Sequence, residues 1–216
     1  MAAQPRPAWL LLGPTGSGKS PLGDEIERRG LGSRRCVHFD FGAVLRTIAA
    51  DPGAYAGLGE AEVGAVRASL ASGALFEDRD LAMIVKIVEG FAAARALGAG
   101  DRLVLNGLPR HIRQAEGLAG LFDVELVVEL EADAAVVRGR MRRDPGGDRA
   151  GRPDGSAALV RRRLADYRER TLPLADHYRR RGVPVLAIPV TATMTAGEMC
   201  ERLAEAIDGT RGVFSG

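Results

Sequence analysis

Apolar residues gather in five short runs, separated by long stretches of helical periodicity. The runs are Trp9–Leu12, Cys36–Phe39, Leu103–Leu105, Glu125–Leu130 and Val183–Ile188, each bounded by polar or turn-forming residues. Buried parallel strands read as short continuous apolar runs, and the helices between them supply the crossovers they need. The pattern predicts an α/β fold with a parallel sheet covered on both faces. Two stretches depart from plain alternation. The first, from Gly42 to Leu97, is longer than one crossover requires and is broken at Asp51-Pro52-Gly53 and near Ser72-Gly73, so it reads as a helical insert. The second, from Asp144 to Gly155, is rich in glycine and holds no apolar residue larger than alanine, so it reads as a solvated, mobile loop. The tail after Ile207 reads as frayed.

Length and composition narrow this picture without changing it. A chain of 216 residues with 46% hydrophobic and 27% charged positions fits one soluble α/β domain. A net charge of +2 is too small to argue for nucleic-acid or membrane partners. There is no apolar run of transmembrane length, and the apolar stretch near the start is too short for a signal peptide. Cys36 and Cys200 lack metal-ligand spacing, which suits a reducing cytoplasm. Lysine occurs only at positions 19 and 86, against 28 arginines. Codon usage accounts for most of that skew, yet it makes Lys19 stand out.

Lys19 lies in the first candidate for chemistry. The first run leads into Gly13-Pro14-Thr15-Gly16-Ser17-Gly18-Lys19-Ser20, and a polar helix start follows. This meets the pattern G-x-x-x-x-G-K-[ST] in the strand–loop–helix context that gives it meaning. Glycines let the backbone curl so that successive N–H groups point at phosphate oxygens, and the following helix adds partial positive charge. The candidate ATP-binding residues are therefore Gly13, Gly16, Ser17, Gly18, Lys19 and Ser20. Lys19 is placed to bridge the terminal phosphates and Ser20 to bind Mg²⁺. An ordinary glycine-rich turn is the bland alternative, and the flanking strand and helix disfavour it.

A second segment, Asn106-Gly107-Leu108-Pro109-Arg110 followed by HIRQA, closes the third apolar run. It resembles the D-G-F-P-R-x-x-x-Q-A segment of adenylate kinase and its nucleoside monophosphate kinase relatives. FGAVLR (Phe41–Arg46) is similar to the family's T-G-D-M-L-R. VVRGRMRR (Val136–Arg143), RPD (Arg152–Asp154), RRRL (Arg161–Leu164) and YRERTLPLADHYRRRG (Tyr167–Gly182) continue the match in the same order. The resemblance implies a P-loop three-layer sandwich with five parallel strands ordered 2-3-1-4-5. It implies a single domain with its core at 8–41, 98–138 and 156–207, an acceptor-binding helical insert at 42–97 and a short lid at 139–155. The lid lacks cysteine, so a zinc-stapled form is excluded.

The resemblance also implies ATP-dependent phosphoryl transfer to a nucleoside monophosphate, with Mg²⁺ as cofactor. Two polyanions must then be brought together, and arginine suits that task because it stays charged and offers phosphate a planar fork. Carried over by position, Arg46 and Arg110 grip the acceptor phosphate. Arg142, Arg152 and Arg163 close over the transferring group with Lys19, and Arg138 stacks on the donor base. Asp154 could orient Arg152. Phe41 and Gly107 border the acceptor, and Gln114 stands where adenylate kinases set a glutamine against the acceptor adenine, which favours AMP or dAMP. The expected setting is a monomer in the cytoplasm, without nucleic-acid or membrane partners.

Several positions depart from the family. Asn106 and Ala43 replace aspartates that help hold the hydration shell of the metal, and Asp40 and Phe41 replace a small hydroxyl pair beside the acceptor base. Ala74 replaces a polar residue of the acceptor lobe. Two further readings therefore stay open: a P-loop kinase acting on another small phosphorylated or nucleoside-like acceptor, and a weakly catalytic ATP-binding module.

Overall fold

The computed structural model describes residues 4–31, 34–55, 57–147 and 157–211. Its centre is a parallel sheet of β1 (Arg6–Leu12), β2 (Cys36–Asp40), β3 (Arg102–Asn106), β4 (Phe122–Glu131) and β5 (Val185–Pro189), in the order β2-β3-β1-β4-β5. Around it lie α1 (Lys19–Arg29), α2 (Phe41–Ala50), α3 (Glu60–Ser72), α4 (Leu81–Ala94), α5 (Ile112–Gly117), α6 (Ala134–Arg143), α7 (Ala157–Asp166), α8 (Pro173–Arg180) and α9 (Ala196–Arg211).

Alternation along the strands divides the core in two. In β1, Ala8, Leu10 and Leu12 enter a cluster completed by α2, α3, α4 and α8, while Trp9 and Leu11 join a second with α1 and α9. Side chains on a strand point to opposite faces in turn, so one strand feeds both layers. In β4 the parity slips once: Val124 faces the first cluster and Leu126 the second. The register jumps between Ala8↔Val124 and Trp9↔Leu126, a bulge that absorbs Glu125 and restores the pairing. These are the three layers expected. On α2 the apolar residues Phe41, Val44, Leu45 and Ile48 recur at helical spacing and form its buried face.

Strand ends extend beyond the apolar runs because ladder hydrogen bonds, not hydropathy, set them. Asp40 pairs in register with Asn106, which carries β2 and β3 one polar residue past their apolar runs. The last strand starts later than its apolar run, since Val183 N–H closes α8 on Tyr178 O at 3.1 Å. The expectation of fraying after Ile207 is corrected for 208–211, where α9 continues to Arg211 with Gly209 tolerated inside it, and 212–216 lie outside the described residues. The stretch from Gly139, expected to be lid, is helical as far as Arg143, and 148–156 fall outside the described residues. No helix among the described residues is long and apolar enough to cross a membrane.

Candidate active site

Parallel sheets place ligands at the carboxyl ends of their strands. Here β1 opens into the glycine loop, and β2 and β3 end in Asp40 and Asn106 on the same rim. Gly13, Gly16 and Gly18 have φ of 147°, 80° and 103°. At Gly18 a Cβ would sit 2.7 Å from Arg140 Nη2 and carry left-handed strain, so any other residue there would have to displace the Arg140 guanidinium. Lys19 Nζ folds back over the loop, donating to Gly13 O at 2.6 Å and Pro14 O at 2.9 Å. Ser17 Oγ is buried beneath with no hydrogen-bond partner among the described residues.

The loop forms one end of a cleft of about 1330 Å³, counted to its open mouth. From the loop, Gly13, Gly16, Gly18, Lys19 and Ser20 line it, and so do Phe41, Arg46, Gly107, Arg110, Gln114 and Arg163. The structure thus brings most of the sequence-selected residues together. It does not bring Arg138 and Arg142 there: both are exposed on α6, outside the lining. Arg152 and Asp154 lie outside the described residues.

Arg110 is held by its backbone. Its N–H donates to Gln114 Oε1 at 2.6 Å, and its carbonyl accepts from Thr171 Oγ1 at 2.8 Å. Gln114, fully buried, also directs Nε2 at Phe76 O, 3.5 Å away. Thr171 belongs to a single π-turn, Tyr167–Thr171, whose Tyr167 lines the cleft. The Arg110 guanidinium carries a buried Nε without a hydrogen-bond partner among the described residues. Burial first, and then the charge of Arg163, push its pKa below the ordinary value, with Asp166 opposing.

At the floor of the cleft, Asp40 Oδ2 accepts from Ser20 Oγ at 2.5 Å and from Asn106 Nδ2 at 3.1 Å. Asn106 Nδ2 also reaches Ser20 Oγ at 3.0 Å, and Asp40 Oδ1 caps α2 by accepting from Ala43 N at 2.9 Å. Burial works against ionisation of Asp40, but hydrogen bonds from Ser20 and the Ala43 N–H prevail, and its pKa falls below the ordinary value.

Three features escaped the sequence reading. Arg140, buried, lines the cleft and donates to Thr191 O and Met194 O at 2.9 and 2.7 Å. Helical spacing puts it on one face with Val137 and Met141, which pack beside Gly16, and that periodicity was the available signal. Phe76 forms an apolar wall with Phe41, whose ring is 5.8 Å from it and 5.9 Å from Phe39. Asp40 was noted only as a substitution. Its contacts need the β2–β3 register, which no local pattern reveals.

A cleft that joins a phosphate-binding loop to a bank of arginines defines a P-loop phosphotransferase. No family model matches the chain. The adenylate kinase of Synechococcus sp. (strain CC9902) is 34% identical over 205 residues, covering 92% of this chain and 97% of that protein. The adenylate kinase of Synechococcus sp. (strain CC9311) is 36% identical over 183 residues, covering 81% and 85%. Among solved structures, an unliganded sugar kinase from Janibacter sp. HTCC2649 aligns at a TM-score of 0.45 and 17% identity over 98% of this chain and 100% of that one, which distinguishes no activity. The chain belongs to the adenylate kinase family and is a nucleotide kinase.

Proposed function

We propose that the enzyme transfers the γ-phosphoryl group of ATP to a nucleoside monophosphate, with AMP or dAMP preferred. The observation that carries this reading is the cleft itself, with the loop of Lys19 and Ser20 at one end and Arg46, Arg110 and the Phe41–Phe76 wall at the other. Both substrates are polyanions, so catalysis is mostly positioning and charge neutralisation. The loop N–H groups and Lys19 hold the triphosphate. Arg46 and Arg110 orient the acceptor phosphate, and Arg163 reaches the transferring group from the facing helix. Helices α2–α4, within 42–97, serve as the acceptor lobe, and 139–155 serves as the lid with Arg142 and Arg152. Arg138 stacks on the donor base.

Gln114 supports an adenine acceptor. Its Oε1 keeps a second lone pair and its Nε2 a second N–H beyond the contacts it makes here. Such a pair matches the donor–acceptor edge of adenine.

Magnesium fits the rim. Ser20 Oγ is a hard oxygen donor at the loop's end beside a carboxylate, the chemistry this ion takes. Bound with ATP, it would supply charge neutralisation to the phosphates, and Ser20 is the residue that would hold it. Among the described residues no group of three His, Cys, Asp or Glu could hold a metal alone, which suits an ion that arrives with the triphosphate.

ADP release over a panel of monophosphates tests the proposal. AMP or dAMP should give the highest kcat/KM. Turnover absent with every nucleotide, from protein that binds ATP, would overturn it. Turnover only with a different phosphorylated acceptor would move the assignment to that acceptor.

A further inference from the structure

The Asp40 carboxylate is nearly buried at the floor of the cleft, yet among the described residues it forms no salt bridge. Its hydrogen bonds come from a hydroxyl, a carboxamide and a backbone N–H, all neutral donors. Arg46 and His38 favour its charge only through space; a buried anion hydrogen-bonded by neutral groups alone is costly to keep, and a cation in contact offsets that cost. The cation it can meet is set by position. Asp40 adjoins the hydroxyl of Ser20, at the point of the loop where a metal-bound triphosphate would lie.

The neighbouring strand explains why the carboxylate stands at this position alone. Asp40 and Asn106 are paired in register at the ends of β2 and β3, with Nδ2 and Oδ2 3.1 Å apart. Two acids at these positions would bring like charges into contact, and one would be driven to protonate. An amide at position 106 instead donates to Asp40 and to Ser20 together, fixing both oxygens in one orientation. One acid and one amide give a single negative charge with a set direction.

Resting on the reading that the loop binds a metal–ATP complex, we propose that Asp40 supplies the carboxylate of the magnesium site from β2, and that Asn106 is the positioning amide that aims it. The magnesium-site charge is thus carried on β2, in register with Asn106 at the end of β3. Asp40 also caps α2, the first helix of the acceptor side, so metal binding and the orientation of Phe41 and Arg46 meet in one side chain.

The test uses Mn²⁺ as the probe, its free concentration read by electron paramagnetic resonance in the presence of the full-length protein and a non-hydrolysable ATP analogue. Asp40→Asn keeps the cap, since asparagine caps helices as well as aspartate does. It should weaken Mn²⁺ binding about tenfold or more, as loss of a metal-supporting group does, while nucleotide binding without metal stays near wild type. Asp40→Ser, which also caps, should behave alike and guards against one variant failing to fold. The exchange variant Asp40→Asn/Asn106→Asp returns the carboxylate across the register and should recover Mn²⁺ affinity to near the wild-type value. Wild-type Mn²⁺ affinity in Asp40→Asn or Asp40→Ser, or no recovery in the exchange variant, overturns the proposal while leaving the kinase reading intact. Failure of the wild-type protein to bind the Mn²⁺–nucleotide complex overturns both.

Discussion

Arg110 and Arg163 line one cleft, and the charge of Arg163 adds to burial in pressing the Arg110 guanidinium away from its charged form. With its Nε lacking a partner among the described residues, Arg110 is a strained cation in the ligand-free protein. A phosphate between the two guanidiniums would relieve both the repulsion and the missing hydrogen bond. Arg110→Met should therefore raise the thermal midpoint of the ligand-free enzyme. The gain is about 1 kcal/mol or more, the scale of an unsatisfied buried polar group. The same change should raise the acceptor KM and lower turnover. Calorimetry and initial-rate kinetics on one preparation check it. A destabilised variant with an unchanged acceptor KM would contradict the role.

Lys19 predicts the opposite balance. Its ammonium ties the loop by donating to Gly13 O and Pro14 O, part-buried contacts at the edge of an open cleft, where water can take over the carbonyls when the side chain is replaced. Against a developing charge on the γ-phosphate the same ammonium is worth far more. Lys19→Met should unfold at nearly the wild-type temperature and turn over about 10²–10³-fold more slowly, the range for loss of one stabilising donor. Near-normal kcat would mean that the loop does not hold the transferring phosphate.

Gln114 couples the acceptor base to the acceptor phosphate. Truncation to Ala leaves the Arg110 N–H without its 2.6 Å acceptor and should cost about 1–3 kcal/mol of stability. Every monophosphate should then bind more weakly, because the backbone that carries Arg110 loosens. If the amide also reads adenine, the loss of kcat/KM for AMP exceeds that for CMP. Equal losses across the panel would confine Gln114 to positioning Arg110.

These contacts show where the sequence was legible. The strands announced themselves as apolar runs, most plainly β1, whose residues from Ala8 to Leu12 are buried on both faces. The loop was legible because strand, glycines, Lys19 and Ser20 are contiguous. The strand order came through the resemblance, since periodicity says nothing about which strands are neighbours. What stayed hidden depends on distant pairing. Thr171 reaches the Arg110 carbonyl from 61 residues away, and the Ser20–Asp40–Asn106 triangle joins three separate elements. The choice of Arg140 over Arg138 or Arg142 as the cleft residue turned on which face of α6 meets the loop, a question of packing rather than motif.

Glu77 and Arg170 give the pH prediction. Arg170 donates through both terminal nitrogens to Glu77, at 2.7 and 2.8 Å, tying the segment behind Phe76 to the π-turn that carries Tyr167 and Thr171. The hydrogen bond from Arg170 is the main reason that Glu77 lies below its ordinary value of 4.5, with burial opposing. A carboxylate depressed on folding contributes stability that is complete above its unfolded pKa and lost as pH falls through its folded pKa. Glu77→Gln should thus be less stable than wild type near neutral pH, and the gap should close once the pH drops below the folded value. Both side chains are partly exposed, so solvent screening keeps the difference to about 1 kcal/mol or less. Denaturant titrations of both proteins at neutral and at acid pH measure it. A gap that persists unchanged into acid would mean that the pair acts through packing. A closing gap assigns it to the ion pair, which makes the wall beside Gln114 and Arg110 firmest at the pH where nucleotide phosphates are fully charged.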